Sequence, residues 1–481
     1  MLIDGELVES RSGRRFANVN PATEEVLGEV ADAGREDVDA AIAAARRAFD
    51  GTAWPANREL RKRCLMQLYE ALLGERDQLR AELIAEVGAP VAIMGGLQLD
   101  GALDHELPWP IEFIDRFEWE RELPVNEMLG VRSWRKVVRE PVGVVAAIVP
   151  WNFPFEVAVS KLAPALATGN TVILKAAPQT PWNATRLGRL VAEQTDFPPG
   201  VFQVVTTSDN EVAEDLVTDP RVDLVSFTGS TAVGRRIMEK GAPTLKRLFL
   251  ELGGKSAHLV LDDADFDQCL AASAIAACRH GGQSCAALMR VVLPRTRYEE
   301  GLAIIAERFG EVRYGDPNDP DVIQGPQISE RQQERILGYI EQGVAEGARL
   351  VTGGGRPSEL PRGYYVEPTL FADVDNSMTI AQEEIFGPVL VVIPHDGDDD
   401  AVRIANESPY GLASAVSAGS EERALAVARR IRAGTASVNG GVWLAPDSPF
   451  GGYKQSGIGR QNGVEGFEQY TETKTIAGPM P

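Results

Sequence analysis

Residues 142–149, Val-Gly-Val-Val-Ala-Ala-Ile-Val, form an unbroken apolar run rich in β-branched side chains that stops at Pro150. A strand with one face in water alternates apolar and polar residues. A run that is apolar throughout belongs to a strand covered on both faces, as in a parallel sheet. Shorter runs of the same character recur at 171–174, 201–205 and 224–227, and the stretches between them, 186–193 and 211–217 among them, fit helices. Such alternation specifies a doubly wound α/β unit. Ahead of it lies a short polar N-terminal section, followed at 37–49 and 58–87 by apolar residues at helical spacing. Behind it, a helix at 266–278, a strand at 290–293, helices near 300–309 and 332–346 and a strand at 389–393 describe a second α/β unit. Pro- and Gly-rich patches at 314–321 and 352–364 read as loops inside that unit.

At 481 residues the chain exceeds what one hydrophobic core supports, so two or three packed units are expected, with room for a water-excluding site. A net charge of −22 without a basic stripe argues against a nucleic-acid partner; the arginines at 11–15 and 429–432 sit in short mixed segments that suit a solvated surface. No run of eighteen apolar residues occurs, and 1–8 carries no export pattern, so a soluble cytoplasmic protein without a membrane partner is expected. Four cysteines and four histidines, with neither HExxH nor CxxC spacing, point to no disulfide framework and no metal site.

Among the cysteines, Cys285 stands apart. It lies in Gly281-Gly282-Gln283-Ser284-Cys285-Ala286-Ala287, a glycine-flanked polar stretch in which a thiol can face a cavity, and it is the candidate nucleophile; a packed loop cysteine is the alternative. Cys269 and Cys278 bracket an alanine-rich run that reads as a buried helix, and Cys64 falls on an amphipathic helix. Thr228-Gly229-Ser230-Thr231-Ala232-Val233-Gly234 follows a strand and leads into a helix at 235–240, a place where free N–H groups can meet a pyrophosphate, although the spacing departs from G-x-G-x-x-G and an ordinary turn has the same look. Lys175 ends a buried strand, where it either reaches a ribose or phosphate or snorkels at the sheet edge. Glu251, before Leu252-Gly253-Gly254, is either a general base or a turn-capping acid. In Trp151-Asn152-Phe153-Pro154 an amide stands among apolar groups, and a buried amide needs partners, structural or an oxyanion.

These segments occur in one order. Pro150-Trp151-Asn152-Phe153-Pro154, residues 161–170 (Lys-Leu-Ala-Pro-Ala-Leu-Ala-Thr-Gly-Asn), Phe227-Thr228-Gly229-Ser230, Glu251-Leu252-Gly253-Gly254-Lys255, Gly282-Gln283-Ser284-Cys285, Glu383-Glu384-Ile385-Phe386-Gly387-Pro388 and Pro449-Phe450-Gly451-Gly452-Tyr453-Lys454 together resemble the aldehyde dehydrogenase superfamily over nearly the whole chain. The resemblance implies a Rossmann-like cofactor domain (1–121 and 141–252), an α/β catalytic domain (253–449), oligomerisation strands (122–140) and a return segment with a further such strand (450–481). It implies Cys285 as nucleophile, Glu251 as base, Asn152 with the Cys285 N–H as oxyanion hole, and Lys161 near the proton path. For the cofactor it implies Lys175 at the adenosine ribose, Ser230, Trp151 and the turn with Gly229 and Gly234 at the pyrophosphate, Gln332 and Glu384 at the nicotinamide ribose, and Phe386 beside the nicotinamide.

Departures from the family pattern bear on specificity. Pro178 stands where NAD-preferring members often carry a glutamate, so NAD is expected with NADP possible; His280 stands where asparagine is common, and Ser160 where the tunnel is often aromatic. Phe153, Trp443 and Phe450 remain as apolar walls suited to uncharged aldehydes. The segments 131–138 and 470–476 alternate at period two and read as strands lacking a partner in their own subunit, hence a homodimer or homotetramer. The reaction implied is oxidation of an aldehyde to an acid through a thiohemiacetal and a thioester on Cys285. The alternatives are transfer of the acyl group to coenzyme A, which the presence of Glu251 disfavours, and a non-catalytic binding protein that retains the fold.

Overall fold

The computed structural model describes residues 1–480 and is built on two large sheets, each with helices on both faces. In the first, the parallel strands lie in the spatial order Arg247–Glu251, Leu224–Thr228, Val144–Ile148, Thr171–Lys175, Phe202–Val205. The chain starts in the middle, at Val144–Ile148, winds outward to Phe202–Val205, and then returns to build the other side. Where that order reverses, between Val144–Ile148 and Leu224–Thr228, the connections leave on opposite faces and open a crevice at the carboxyl ends of the strands. The register sets Ile148 opposite both Lys175 and Phe227, and Thr228 opposite Glu251, so these side chains share one edge of the sheet. Pro154 begins the next helix, Pro154–Ala167, at a first-turn position where a missing N–H costs nothing, which leaves Trp151, Asn152 and Phe153 as the loop at the crevice.

The second sheet runs Arg349–Thr352, Thr369–Ala372, Val389–His395, Arg290–Pro294, Ala257–Val260, Ala413–Ser417, Thr435–Val438, parallel except at the Arg349–Thr352 edge. Residues 252–256 alone join Arg247–Glu251 of the first sheet to Ala257–Val260 of the second. That link crosses the space between the two units and brings the carboxyl end of one sheet against the loops of the other.

The helix expected at 266–278 occupies those residues, but it is not buried all round: Asp267, Gln268, Ala272, Ile275 and Ala276 face solvent while Leu270, Ala274 and Cys278 pack inward. Alanine suits both faces, so the apolar run masked an amphipathic helix. The N-terminal section, read as merely polar, contributes Leu2–Ile3 and Glu6–Leu7 to the far edge of the first sheet and pairs Arg15–Val19 with Val26–Ala31. The two extension strands also differ from expectation. Thr471–Pro479 pairs with Val131–Pro141, which pairs on its other side with Glu120–Met128, so neither lacks a partner in its own chain. The free edges are those of Thr471–Pro479 and Glu120–Met128, with Val125, Met128, Trp134 and Ile476 exposed on or beside them.

Glu251 is held from one side by a short strand, Gly457–Ile458, paired antiparallel with Leu250 and Glu251. Gly457 has φ of 128°, and a Cβ there would lie 1.8 Å from the Leu250 carbonyl oxygen. Gly457→Ala therefore displaces the strand that carries Glu251 and destabilises the protein by roughly 2 kcal/mol or more. Gly310→Ala, at a helix end where a Cβ meets open space, stays within about 1 kcal/mol. Thermal unfolding of the two variants beside wild type checks the difference.

Candidate active site

The loop that carries Cys285 begins where the helix Phe266–Cys278 ends. His280, Gly281 and Gly282 follow in succession with φ of 55°, 64° and 69°, which turns the chain sharply and leads it to Cys285. At Gly282 a Cβ would stand 2.2 Å from the Gly387 carbonyl oxygen, so the loop lies directly against the Phe386-Gly387-Pro388 segment. The link between the sheets approaches from the other side: a Cβ on Gly254 would be 2.6 Å from the Cys285 carbonyl oxygen, and one on Gly253 would be 2.3 Å from a Glu384 carboxyl oxygen. The Gly254 N–H donates to Glu384 Oε1 at 3.0 Å. Sheet end, link, thiol loop and the Glu384 loop thus meet in one place.

Glu251 is buried, and one carboxyl oxygen has no hydrogen-bond partner. Burial, opposed by the charge of Lys161 and reinforced by Glu384, holds its carboxyl well above the usual range. Cys285 is partly exposed; burial first, then the charges of Glu251, Glu384 and Glu156, push its thiol well above the ordinary cysteine value. Burial likewise pushes Glu384 up to about 7. Behind them Lys161 is fully buried, its Nζ without a hydrogen-bond partner and 4.4 Å from the centre of the Phe249 ring; burial lowers its pKa. Two further acids, Glu106 and Glu156, are buried side by side, each raised by burial, with Gln461 Nε2 donating to Glu156 Oε1 at 3.2 Å.

The sequence reading did not single out Glu106, Glu156 or Gln461. Glu156 left a signal, a charge inside the apolar helix Pro154–Ala167, whereas Glu106 comes from a distant irregular segment and left none.

Asn152 reaches the same place, its Nδ2 donating to the Gln283 carbonyl oxygen at 2.9 Å. Trp151 meets Phe386 edge to face, with ring centres 5.3 Å apart. Gln332, on the helix Glu330–Ala345, donates to the Phe386 carbonyl oxygen at 2.9 Å and so ties that helix to the same loop. Phe153 packs against the His280 ring at 5.3 Å.

Further along the crevice, Lys175 is buried at its strand end, and burial alone lowers it to about 8. Gly229 N–H donates to the Glu251 carbonyl oxygen at 3.1 Å, and Ser230 caps the helix Thr231–Gly241 through Val233 N–H. Gly234 proves to lie inside that helix instead of in the turn before it; a Cβ there would meet Leu252 at 2.6 Å, so its lack of a side chain lets the helix start close to the link. Trp443 and Phe450 stack on each other, 5.1 Å apart and nearly parallel, and Phe450 is bridged through its backbone to Gln461, the partner of Glu156. Among the described residues no group of three or more His, Cys, Asp or Glu side chains could hold a metal ion.

The arrangement places a nucleophile beside a base. A negative Glu251 raises the thiol pKa, so the thiolate and the ionised carboxylate disfavour each other. Replacing Glu251 by Gln removes that charge and lowers the thiol pKa. At pH 9 the variant's Cys285 is then alkylated by iodoacetamide faster than wild type, by up to about tenfold for each unit the pKa falls. Mass spectrometry of the labelled peptide reads the rate, and slower labelling would mean that Glu251 draws the thiol proton instead.

Comparison with known proteins adds a separate line of findings. The model of the aldehyde dehydrogenase family matches residues 7–476. The chain is 42% identical over 480 residues to 3-succinoylsemialdehyde-pyridine dehydrogenase of a Pseudomonas species, covering 99% of this chain and 98% of that protein. It is similar to a Mycobacterium tuberculosis aldehyde dehydrogenase complexed with NAD+, at a TM-score of 0.95 and 41% identity, covering 100% of this chain and 97% of that one. It is also similar to a mutant of aldehyde dehydrogenase C from Pseudomonas syringae, complexed with NAD+ and octanal, at a TM-score of 0.93 and 40% identity over 99% of this chain and 96% of that one.

Proposed function

The chain belongs to the aldehyde dehydrogenase family, whose members oxidise aldehydes, and we propose that it does so with Cys285 as nucleophile, NAD as hydride acceptor and Glu251 as the base that frees the acid. The observation that carries this reading is the meeting of the Cys285 loop, the Glu251 carboxyl and the Asn152 amide at the crevice where the strand order of the first sheet reverses.

The crevice fits a dinucleotide. A capped helix N-terminus follows Leu224–Thr228, a buried lysine with no charged neighbour lowering or raising it ends Thr171–Lys175, and an aromatic pair, Trp151 and Phe386, stands toward the thiol. Lys175 is assigned to the adenosine ribose, Ser230, Gly229 and Trp151 to the pyrophosphate, Gln332 and Glu384 to the nicotinamide ribose and Phe386 to the nicotinamide, with Gly234 seating the helix. Bound NAD supplies the acceptor for the hydride that leaves the tetrahedral carbon. Pro178 places no carboxylate against a 2′-phosphate, so charge does not repel NADP there, and NADP is a possible second acceptor beside NAD.

The residues of the chain account for the remaining steps. The Cys285 thiolate adds to the aldehyde carbon, and the Asn152 side-chain amide with the Cys285 N–H stabilises the alkoxide as it forms. Loss of hydride leaves a thioester on Cys285. Glu251 takes a proton from water, the resulting hydroxide adds to the thioester carbon, and the carboxylic acid leaves as the Cys285 thiolate is restored. Lys161, buried within reach of the charges of Glu251 and Glu156, offers the proton a way off Glu251. Phe153, Trp443 and Phe450 are assigned to the substrate tunnel, whose apolar walls suit an uncharged aliphatic or aromatic aldehyde.

On this reading residues 1–121 and 141–252 form the cofactor domain, 253–449 the catalytic domain, and 122–140 with 450–481 the strands through which a homodimer or homotetramer assembles at the free edges of the three-stranded sheet. A thiol nucleophile suits the reducing cytoplasm, the location proposed. No helix among the described residues is long and apolar enough to cross a membrane.

Initial rates of NADH and NADPH formation over a panel of short, long, aromatic and hydroxylated aldehydes test the reading. Cys285→Ser abolishes turnover while nucleotide binding persists, and Asn152→Ala lowers kcat by about 10²–10³, the usual cost of an oxyanion donor. A requirement for coenzyme A with formation of acyl-CoA would replace hydrolysis by acyl transfer. NAD binding without oxidation of any aldehyde in the panel would leave only a binding protein.

A further inference from the structure

The Asn152 peptide carbonyl carries an unusual load. Gln98 Nε2 lies 2.8 Å from its oxygen and His280 Nε2 lies 2.9 Å from it, the two nitrogens being 3.2 Å apart. Both side chains are buried, Gln98 completely. A carbonyl oxygen only accepts, so this contact is made by the Nε2–H tautomer of His280. The other tautomer would accept from Gln98 at Nε2 but strand a buried N–H at Nδ1, which has no partner, whereas a bare Nδ1 strands only an acceptor. A second proton would place an N–H at Nδ1 with nothing to receive it, and burial accordingly lowers the imidazole to about 4, so His280 is a neutral donor at working pH.

The loop that carries His280 also grips the Asn152 side chain. Its Nδ2 donates to the Gln283 carbonyl oxygen, and the Gln283 side chain is fixed in turn by donating to the His280 carbonyl oxygen at 3.0 Å and to Pro326 at 3.2 Å, while accepting from Ile328 N–H at 3.0 Å. One of the two amide hydrogens of Asn152 is therefore spent on Gln283, and the direction of the other is set by how the Asn152 backbone is held. Gln98 ends a short segment, Met94–Gln98, whose backbone turns non-helical at Gly96, and His280 holds a left-handed φ of 55°. Neither feature is needed to pack an apolar core. Together they deliver two donors to one oxygen.

We propose that Gln98 and His280 are positioning residues for the oxyanion donor: by saturating the Asn152 carbonyl from two sides they fix its peptide plane, so that the unspent N–H of the Asn152 amide stays aimed at the place the alkoxide occupies. The inference rests on the roles proposed above for Cys285 and Asn152, and it adds residues that touch neither substrate nor sulfur.

Two reagents separate positioning from general damage. p-Nitrophenyl acetate acylates a thiolate through a tetrahedral oxyanion, releasing p-nitrophenolate as the thioester forms. Iodoacetamide alkylates the same thiolate by displacing iodide, with no oxyanion. Gln98→Met, which keeps length and volume but removes the donor, slows the first release of p-nitrophenolate by about tenfold and leaves iodoacetamide labelling of Cys285 within about twofold. His280→Phe behaves alike, and His280→Gln, which restores an N–H at similar reach, recovers most of the rate. In an Asn152→Ala background Gln98→Met costs less than about twofold more, because the group it positions is gone.

An equal loss in both backgrounds, a parallel loss of alkylation, or no loss at all in Gln98→Met overturns the proposal. If Cys285→Ser still released p-nitrophenolate in a burst, the nucleophile assignment itself would be wrong, an outcome distinct from failure of the clamp.

Discussion

The link of residues 252–256 joins two separately built sheets, and its path is the constraint on which the active site depends. It is too short to wander, so the end of Arg247–Glu251 must lie close to the start of Ala257–Val260. Gly253 and Gly254 let it pass hard against Glu384 and the Cys285 carbonyl, where any side chain would force the loops apart. Glu251 is pinned at the edge of this passage by Gly457 on one side and by Leu224–Thr228 on the other. The two sheets are thereby held in register by close contacts of the link with the Cys285 backbone and the Glu384 side chain.

That closeness has an electrostatic consequence. Three carboxyl groups, from Glu251, Glu384 and Glu156, bear on one thiol, a fourth, Glu106, lies beside Glu156, and each is raised by burial. Charged, they would repel one another and the thiolate; burial moves each acid toward its neutral form, and the charge of Lys161 opposes that shift at Glu251 and Glu156. A desolvated Lys161, itself lowered by burial, can trade protons with the neighbouring acids at little cost, a property that a solvated lysine lacks. The site stores protons close to where the proposed chemistry makes and consumes them.

Much of the fold is visible in the local pattern. The apolar runs that became Val144–Ile148, Thr171–Lys175, Phe202–Val205 and Leu224–Thr228 could only be strands covered on both faces, and the helices between them could only cover those faces. Where local pattern was neutral the reading slipped. An alanine-rich segment is apolar by composition whether or not it is buried, so the exposed face of Phe266–Cys278 was not legible. The short edge strands at Leu2–Ile3 and Glu6–Leu7 are specified by the Phe202–Val205 strand they pair with, through the contact of Leu2 with Val204, and not by any run of their own. The extension strands were recognisable as strands from their alternation, but that they partner each other was a fact about chain return and not about either segment.

For the site, sequence alone determined which residue types were available and on which side of each strand they stood: a cysteine after a glycine pair, a glutamate at a strand end, an amide among apolar neighbours, a lysine at the sheet edge. Those facts are local, set by the period of the strand and the turn chemistry of the residues beside it. Only the tertiary structure decided what surrounds them, since Gln98, Glu106 and Gln461 come from remote segments and acquire meaning through burial against Asn152 and Glu156. Burial, and with it protonation and hydrogen-bond direction, is a property of the packed whole: removing water from a group takes neighbours on every side, and no short stretch of chain supplies them.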